Sequence, residues 1–404
     1  MNILVINCGS SSVKYQFFDM EKRMAVAKGM VSRIGMSEAV LTHKPYDRIE
    51  VKISGDILDH IIAIKYVISI LLSENHGVIK DTSEIHAVGH RVVHGGERFT
   101  ESVLITNEVY NEIRSLIDLA PLHNPHNLSG IKACMKNLPD IPQVAVFDTA
   151  FHHLMPPKAY IYGLPYVMYK KYSIRRYGFH GPSHNYVSER AAALMGKPRS
   201  ELKIITCHLG NGASVTAVDR DVSVDTSMGF TPLEGLLMGT RSGDMDPAVI
   251  LHIMGREELT LHEANTLMNK HSGLIGVSGV SSDMREIESA AKDNHSNAKL
   301  ALDIYCYRLK KYIGGYAAVM NGLDAIVFTG GIGENSALVR NMTCENMQFL
   351  GIQIDPDKNA ATKSKEIDIS SANSKVRILV IPTNEELVIA RDTEELVKKT
   401  AGKN

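Results

Sequence analysis

The sequence predicts an α/β chain built as two duplicated halves, and three observations carry that prediction. The stretch Ile3 to Asp19, ILVINCGSSSVKYQFFD, reads as a strand, a turn of small residues and a returning strand. The same order recurs from Ile204 to Asp219, IITCHLGNGASVTAVD, with Gly210 and Gly212 at the bend. The chain has 404 residues, beyond the size at which one hydrophobic core keeps growing, so two domains are expected. Ile3 to Ile6 is apolar throughout, as a strand buried on both faces should be. Asn7, Cys8, Gly9, Ser10, Ser11 and Ser12 then let backbone N–H groups and hydroxyls approach an anion, which bulkier side chains would prevent. Val13, Tyr15 and Phe17 alternate with Lys14 and Gln16, which gives the returning strand a cation on its other face. A third strand follows each hairpin, over Met24 to Val31 and Asp221 to Ser227. One such hairpin is an ordinary tight turn. Two favour a duplicated domain whose anion-binding turns face one cleft.

Bulk composition narrows the partners. The 44 basic and 45 acidic residues nearly cancel, which favours neither a nucleic-acid surface nor an anionic membrane. Cys8, Cys134, Cys207, Cys306 and Cys344 are scattered and odd in number, a pattern suited to a reducing cytosol. No apolar run has the length of a membrane span or the form of a signal peptide, so a soluble cytoplasmic protein is expected.

Taken in order, the apolar residues Ile57, Ile61, Ile64, Ile68 and Leu71 return every three or four positions and predict a helix over Asp56 to Asn75. A strand over Ile85 to Val93 follows and places Arg91 near its end. Arginine in a strand commonly pairs with a neighbouring carboxylate, and a role in chemistry stands beside that reading. A helix over Asn107 to Leu119 leads to Pro121 and Pro125, which predict a rigid irregular loop. Strand Val144 to Phe147 ends in Asp148, which suits either a helix N-cap or chemistry at a strand's carboxyl end. Pro156, Pro157, Gly163 and Pro165 mark the first domain boundary. A helix over Ser183 to Met195 ends at Gly196. Pro182 argues against one continuous helix carrying both His180 and His184, and so against a zinc pair. Gly229 to Asp246 is a long irregular stretch containing Arg241. Thr260 and Glu263 form a capping box, and a long helix spans Ser296 to Asn321. Strand Ala325 to Phe328 feeds a third glycine turn, Thr329 to Asn335, in the setting where a nucleotide meets backbone N–H groups and a helix N-terminus. Strand Val376 to Ile381 precedes Asn384, Glu385 and Glu386, and a last helix closes the chain.

Three glycine turns, a carboxylate at a strand end and two arginines in loops suit a cleft that holds a polyphosphate beside a small anion. The motifs NCGSSSVK, GHRVVHGGE, PLHNP, FDTAFH, RYGFHGPSH, HLGNGAS, TSMGFTPLEGL, MGTRSGD, FTGGIGEN and IPTNEE together resemble the acetate kinase family over nearly the whole length. More broadly they resemble the sugar kinase, actin and Hsp70 superfamily. The resemblance implies two ribonuclease H-like, actin-like ATPase domains around a nucleotide cleft. The first would span 1–150 and be completed by the terminal helix 386–404. The second would span 151–385. It further implies transfer of the γ-phosphoryl of ATP to acetate, giving acetyl phosphate and ADP, by a homodimer that uses Mg²⁺ or Mn²⁺.

Carried over residue by residue, the resemblance places His208, Leu209, Gly210, Asn211, Gly212, Asp283, Met284, Arg285, Gly331, Ile332, Gly333, Glu334 and Asn335 around ATP. Lys14 would reach toward its phosphates. Asn7 and Glu385 would hold the metal, with Glu386 next door as the alternative. Arg91, Asp148, His180 and Arg241 would surround the transferring group, and Val93, Leu122, Phe179 and Pro232 the acceptor's methyl. A carboxylic acid with a pKa of roughly 4 to 5 arrives at neutral pH ionised, so Asp148 has no proton to remove and is expected to position metal or water. Two further readings are a kinase for propionate or another short-chain fatty acid, and an ATP-gated binding protein of the actin or chaperone type.

Overall fold

The computed structural model describes residues 1–362 and 365–402. These form two compact units, Met1–Ala150 with Asn384–Asn404, and Phe151–Thr383.

The first unit is built on an eight-stranded sheet. Its strands are β1 (Asn2–Cys8), β2 (Ser12–Asp19), β3 (Met24–Ser32), β4 (Ala39–Pro45), β5 (Val51–Gly55), β6 (Ala87–Val92), β7 (Val103–Leu104) and β8 (Gln143–Phe147). Their order is β5-β4-β3-β2-β1-β6-β8-β7. β1, β2 and β3 are antiparallel neighbours, while β6 runs parallel to β1 and β8 parallel to β6. Helices His60–Leu71 and Asn124–Asn137 cover one face through a core that includes Leu4, Ile6, Tyr15, Phe17, Ile64, Val67 and Ala133. Helix Glu385–Ala401 covers the other face, packing Ile389 and Ala390 on Ile3, Val5, Ala87 and Val146. That packing explains Gly89: a Cβ there would come within 2.7 Å of the Ile389 side chain. The last helix was expected over 386–404, and residues 403–404 lie outside the described residues.

The second unit repeats the plan with β9 (Lys203–Leu209), β10 (Ala213–Asp219), β11 (Val222–Thr226), β12 (Ala325–Thr329), β13 (Ile367–Asp368) and β14 (Arg377–Val380). Their order is β11-β10-β9-β12-β14-β13. Again three antiparallel strands are followed by two parallel ones, β12 beside β9 and β14 beside β12. The shared order, three antiparallel strands and then two parallel, is the ribonuclease H-like fold in duplicate. Helix Gly181–Met195 packs Val187, Ala191 and Ala192 on Ile204, Val327 and Leu379. Helix Ser296–Val319 lies against β9 and β10.

Two local expectations are corrected. The rigid irregular loop expected from Pro121 to Pro125 stops at His123, because Asn124 begins a helix that carries Pro125 in its first turn, where the missing N–H costs nothing. The predicted helix to Leu119 stops at Ser115 and continues only as a 3₁₀ turn, Ile117–Leu119. Helix Pro157–Tyr160 lies within the stretch Pro156 to Pro165, and helix Tyr166–Tyr172 follows it directly. Pro182 sits in the first turn of its helix, and His180, at φ +59°, is the N-cap outside it.

Candidate active site

In the first unit the parallel strands deliver Asn7, Arg91 and Asp148 to one edge of the sheet. Arg91 lies on β6 in register with Val146 of β8, so the next residues of β8 bring Asp148 alongside it. The Asp148 backbone N–H donates to the Val92 carbonyl at 3.0 Å. The guanidinium then donates twice, from Nε to Oδ1 at 2.9 Å and from Nη2 to Oδ2 at 2.7 Å. This is the planar two-point pairing that suits arginine and carboxylate. Asp148 is 1 % exposed, while the Arg91 side chain keeps 21 % of its surface. Burial pulls the Arg91 pKa down, but Asp148, helped by Glu385 and Glu386, outweighs it and holds the guanidinium above its ordinary value. The carboxylate expected to hold metal or water thus gives both oxygens to Arg91.

The other carboxylates come from the start of the last helix, where Glu385 and Glu386 occupy the first turn behind the Asn384 cap. A negative charge is favoured there by the helix dipole. Burial raises the pKa of both; Arg91 and Lys14 lower that of Glu385, and Asp148 raises it. Glu386, Asn7 and Lys14 line a hollow of about 260 Å³, and Asn7 faces Lys14 directly across β1 and β2. Asn7, Glu385 and Glu386 each offer a side-chain oxygen, the donor type a hard divalent cation takes.

In the second unit the glycine turn after β9 gathers a different set. A Cβ on Gly212 would stand 3.3 Å from Arg241 Nη1 and 3.9 Å from His180 Nε2, so these two side chains meet beside the turn. His180 stacks on His208, with ring centroids 4.2 Å apart. Its Nδ1 shares a hydrogen bond with Ser214 Oγ at 2.9 Å. His208 Nδ1 is held at 2.8 Å by Ser183 Oγ, which also meets Thr383 Oγ1 at 2.8 Å. Arg241 donates to the Pro232 carbonyl at 3.2 Å and makes no ion pair with a carboxylate among the described residues. Burial alone acts on it, and lowers its pKa.

Beside this cluster a cavity of about 640 Å³ is lined by Gly210, Asn211, Asp283, Met284, Arg285, Gly331, Ile332 and Asn335, together with Ser282, Glu288 and Ser336. Three separate sequence segments thus reach one hollow. Asp283 caps its helix and pairs with Arg285 through Nε to Oδ1 at 3.0 Å and Nη2 to Oδ2 at 2.5 Å. Gly330, at φ +76°, turns the chain from β12 into the short helix Gly330–Asn335, a conformation glycine adopts without strain. Glu334 does not line the hollow. Its carboxylate accepts from the Gly330 N–H at 3.0 Å and the Thr383 N–H at 3.4 Å, so it shapes the turn. Leu209 and Gly333 are buried behind it.

Of the four residues expected around an acceptor methyl, Val93 is buried beyond β6 with its N–H donating to Asn127 Oδ1 at 3.1 Å, and Leu122 is 50 % exposed. Phe179 is buried in the second unit, where Pro232 supplies the carbonyl that holds Arg241.

With that geometry in hand, the comparison with known proteins is decisive: the acetokinase family model matches residues 2–391. The chain belongs to the acetokinase family. The acetate kinase of Halothermothrix orenii is 60 % identical over 398 residues, covering 98 % of this chain and all of that protein. Among solved structures, the Porphyromonas gingivalis acetate kinase superposes with a TM-score of 0.94 at 49 % identity, over 98 % of this chain and 99 % of that one. A propionate kinase from Francisella tularensis superposes with a TM-score of 0.91 at 42 % identity, over the same shares.

Several supporting residues of this acetokinase chain escaped the sequence reading. Buried Asn124 and Asn127 clamp the backbone after β6: Asn124 accepts from the His94 N–H and donates to its carbonyl, while Asn127 ties Val93 to the Cys8 carbonyl. The motif PLHNP held half of that signal. Arg340, 1 % exposed, donates to the Gly333 carbonyl at 2.7 Å and the Glu334 carbonyl at 3.1 Å, fixing the turn beside the hollow. Burial brings its pKa down to about 10. Arg176 donates to Glu234, which also accepts from Tyr162, and to the carbonyls of Thr226 and Ser227. It thereby pins the loop that carries Pro232. Single residues far apart in sequence leave no spacing signal for such links.

Proposed function

We propose that this chain transfers the γ-phosphoryl group of ATP reversibly to acetate, forming acetyl phosphate and ADP by in-line displacement. The observation that carries the reading is the meeting of Arg241, His180 and Gly212 beside a nucleotide-sized hollow, with Arg241 half-buried and paired to no carboxylate among the described residues. A buried cation left without a counter-ion is unfavourable in the free protein, and an anion arriving there recovers that loss.

The chemistry requires such cations. A carboxylate attacking a phosphoryl group brings like charges together, each unit pair opposing approach by about 4 kcal/mol at 4 Å and an effective dielectric near 20. Arg241 and Arg91 offset this, since a planar guanidinium can hold equatorial oxygens while the attacking and leaving oxygens stay in line. Asp148 acts through Arg91, fixing the plane and direction of its fork. His180 donates a hydrogen bond to the same oxygens, for which a neutral imidazole suffices. Asp283 to Arg285 and Gly331 to Asn335 hold the nucleoside end, with Lys14 drawn to the phosphates.

Asn7 with Glu385 would hold Mg²⁺, or Mn²⁺ in its place, and Glu386 stands beside them. When bound, the ion would supply positive charge toward the phosphates. Among the described residues no three His, Cys, Asp or Glu side chains form a metal cage. A Mg²⁺ site commonly draws only one or two carboxylates from the protein, so Asn7 with one glutamate would suit it. In the same proposal the protein is a cytoplasmic homodimer. Exposed Leu164, Tyr166, Val167 and Tyr172 offer an apolar surface in the second unit.

Incubation with ATP, Mg²⁺, acetate and hydroxylamine tests the reading, with acetate-dependent hydroxamate expected. A signal only with propionate would reassign the acceptor, as the propionate kinase likeness would favour. ATP turnover indifferent to either acid would favour a nucleotide-gated binding protein.

A further inference from the structure

His180 is the end of a chain of four side chains in the second unit. Thr206 Oγ1 lies 2.7 Å from His184 Nδ1, His184 Nε2 lies 2.7 Å from Ser214 Oγ, and Ser214 Oγ lies 2.9 Å from His180 Nδ1. Thr206, His184 and Ser214 are fully buried. Among the described residues the Thr206 and Ser214 hydroxyls have no other side-chain partner, and both His184 nitrogens are accounted for within the chain.

Burial holds the His184 pKa well below its ordinary value, with His152 and His208 adding to the effect, so the ring is neutral and carries one proton. Were that proton on Nδ1, it would go to Thr206, and the Thr206 hydroxyl would hold a buried proton with no acceptor. An unmade buried donor is the more costly fault, while an oxygen with spare lone pairs is common. Only one direction satisfies every proton. Thr206 O–H donates to His184 Nδ1, His184 Nε2–H donates to Ser214, and Ser214 O–H donates to His180 Nδ1. His180 is then neutral, with its proton on Nε2, the nitrogen that faces Gly212 and Arg241.

We propose that Thr206, His184 and Ser214 are positioning residues whose one-way hydrogen-bond chain keeps a neutral His180 with its Nε2 proton directed at the Arg241 side of the glycine turn. Protonating Nδ1 would require Ser214 to turn over and buried His184 to change tautomer. Charged and titratable groups facing His180 include Arg241, His208 and His184, and those facing His184 include His152, His208 and His180. The catalytic consequence rests on the proposed role of His180 toward the transferring phosphoryl group, whereas the proton arrangement does not.

Protein labelled with ¹⁵N-histidine, read by long-range ¹⁵N–¹H correlation, tests the arrangement directly. The wild type should show a neutral His180 with its proton on Nε2 at pH 7.5. Ser214→Ala should move the His180 ring signals and lower kcat roughly tenfold, a fraction of what removing a transition-state donor costs. It should leave KM for ATP and acetate in place and carry the acid limb of the kcat profile to higher pH. Ser214→Thr should restore both signals and kcat, and Thr206→Val should reproduce the alanine effect in weaker form. A wild-type His180 with its proton on Nδ1, or cationic, would overturn the proposal whether or not any variant folds. So would a folded Ser214→Ala protein with unchanged kcat and ring signals. Nε2 protonation that responds to Ser214 in a protein without acetate-dependent turnover would uphold the chain of hydrogen bonds and refute the kinase reading.

Discussion

Arg91 in the first unit and Arg241 in the second sit at matching edges of the same duplicated sheet plan, and their surroundings are opposite. Arg91 spends two N–H groups on Asp148 and is held cationic by the carboxylates around it. Arg241 rests on a backbone carbonyl with its charge unmatched. The first unit collects carboxylates, an amide, a lysine and the paired Arg91 at its edge, while the second collects histidines, glycine turns and Arg241, which has no carboxylate partner among the described residues. Duplication therefore preserved the scaffold and let the charge diverge. The first copy balances carboxylates with Arg91 and Lys14, while the second leaves Arg241 with no carboxylate partner among the described residues.

The largest expected effect comes from breaking the paired arginine. Arg91→Ala leaves Asp148 buried without its partner, so both function and folding should suffer. Loss of one partner from a buried pair typically costs 3–5 kcal/mol, and the partial exposure of Arg91 argues for about 2–3 here. The melting temperature should fall together with kcat, and an unshifted melting curve would mean that Asp148 finds another partner. Asp148→Asn should lower kcat by about 10² with a smaller fall in melting temperature, because the amide still offers one acceptor to Arg91. Near-normal turnover at saturating Mg²⁺ would remove Asp148 from the mechanism.

A medium effect concerns the carboxylates of the first unit. The folded-state pKa of Glu385 is raised, first by burial. Its contribution to stability is therefore full below the ordinary glutamate value of 4.5 and is lost as pH rises through the raised one. Glu385→Gln should accordingly leave the melting temperature unchanged at acid pH and raise it at pH 8 without metal. Mg²⁺ with ATP should stabilise the wild type more than the variant at pH 8. Equal gains would shift the metal role to Glu386, to be tested by the matching exchange.

The smallest effect is selectivity. If Val93 bounds the acceptor's methyl, Val93→Ala should raise the propionate to acetate ratio of kcat/KM by about tenfold, within the 1–3 kcal/mol that one methylene commands. An unchanged ratio would take Val93 out of the pocket.

Much of this scaffold was legible in the sequence because its signals are local. The hairpins announced themselves through alternation, as in Val13, Tyr15 and Phe17 against Lys14 and Gln16, and the third glycine turn through a buried strand before it. β5 left no such mark, since it is mostly exposed, and the buried face of β4 includes His43 and Pro45, which do not read as apolar. The helix Asn124–Asn137 hid behind Pro125, which reads as a breaker but is tolerated in a first turn. Individual residues such as Arg91 and Asp148 could be named as candidates. Their pairing could not, because 57 positions separate them and only sheet register unites them. Ser214 and His184 escaped for the same reason: the meaning of each lies in what the other's proton does.

Arg241→Ala tests the contrast between the two units most directly, through kcat and melting temperature measured on one preparation. Removing a half-buried cation that has no carboxylate partner should leave the melting temperature equal or higher, while acetyl phosphate formation falls by about 10²–10³. A parallel loss of stability and turnover, like that expected for Arg91→Ala, would contradict the account by showing that Arg241 holds the fold together and is not reserved for the incoming anion.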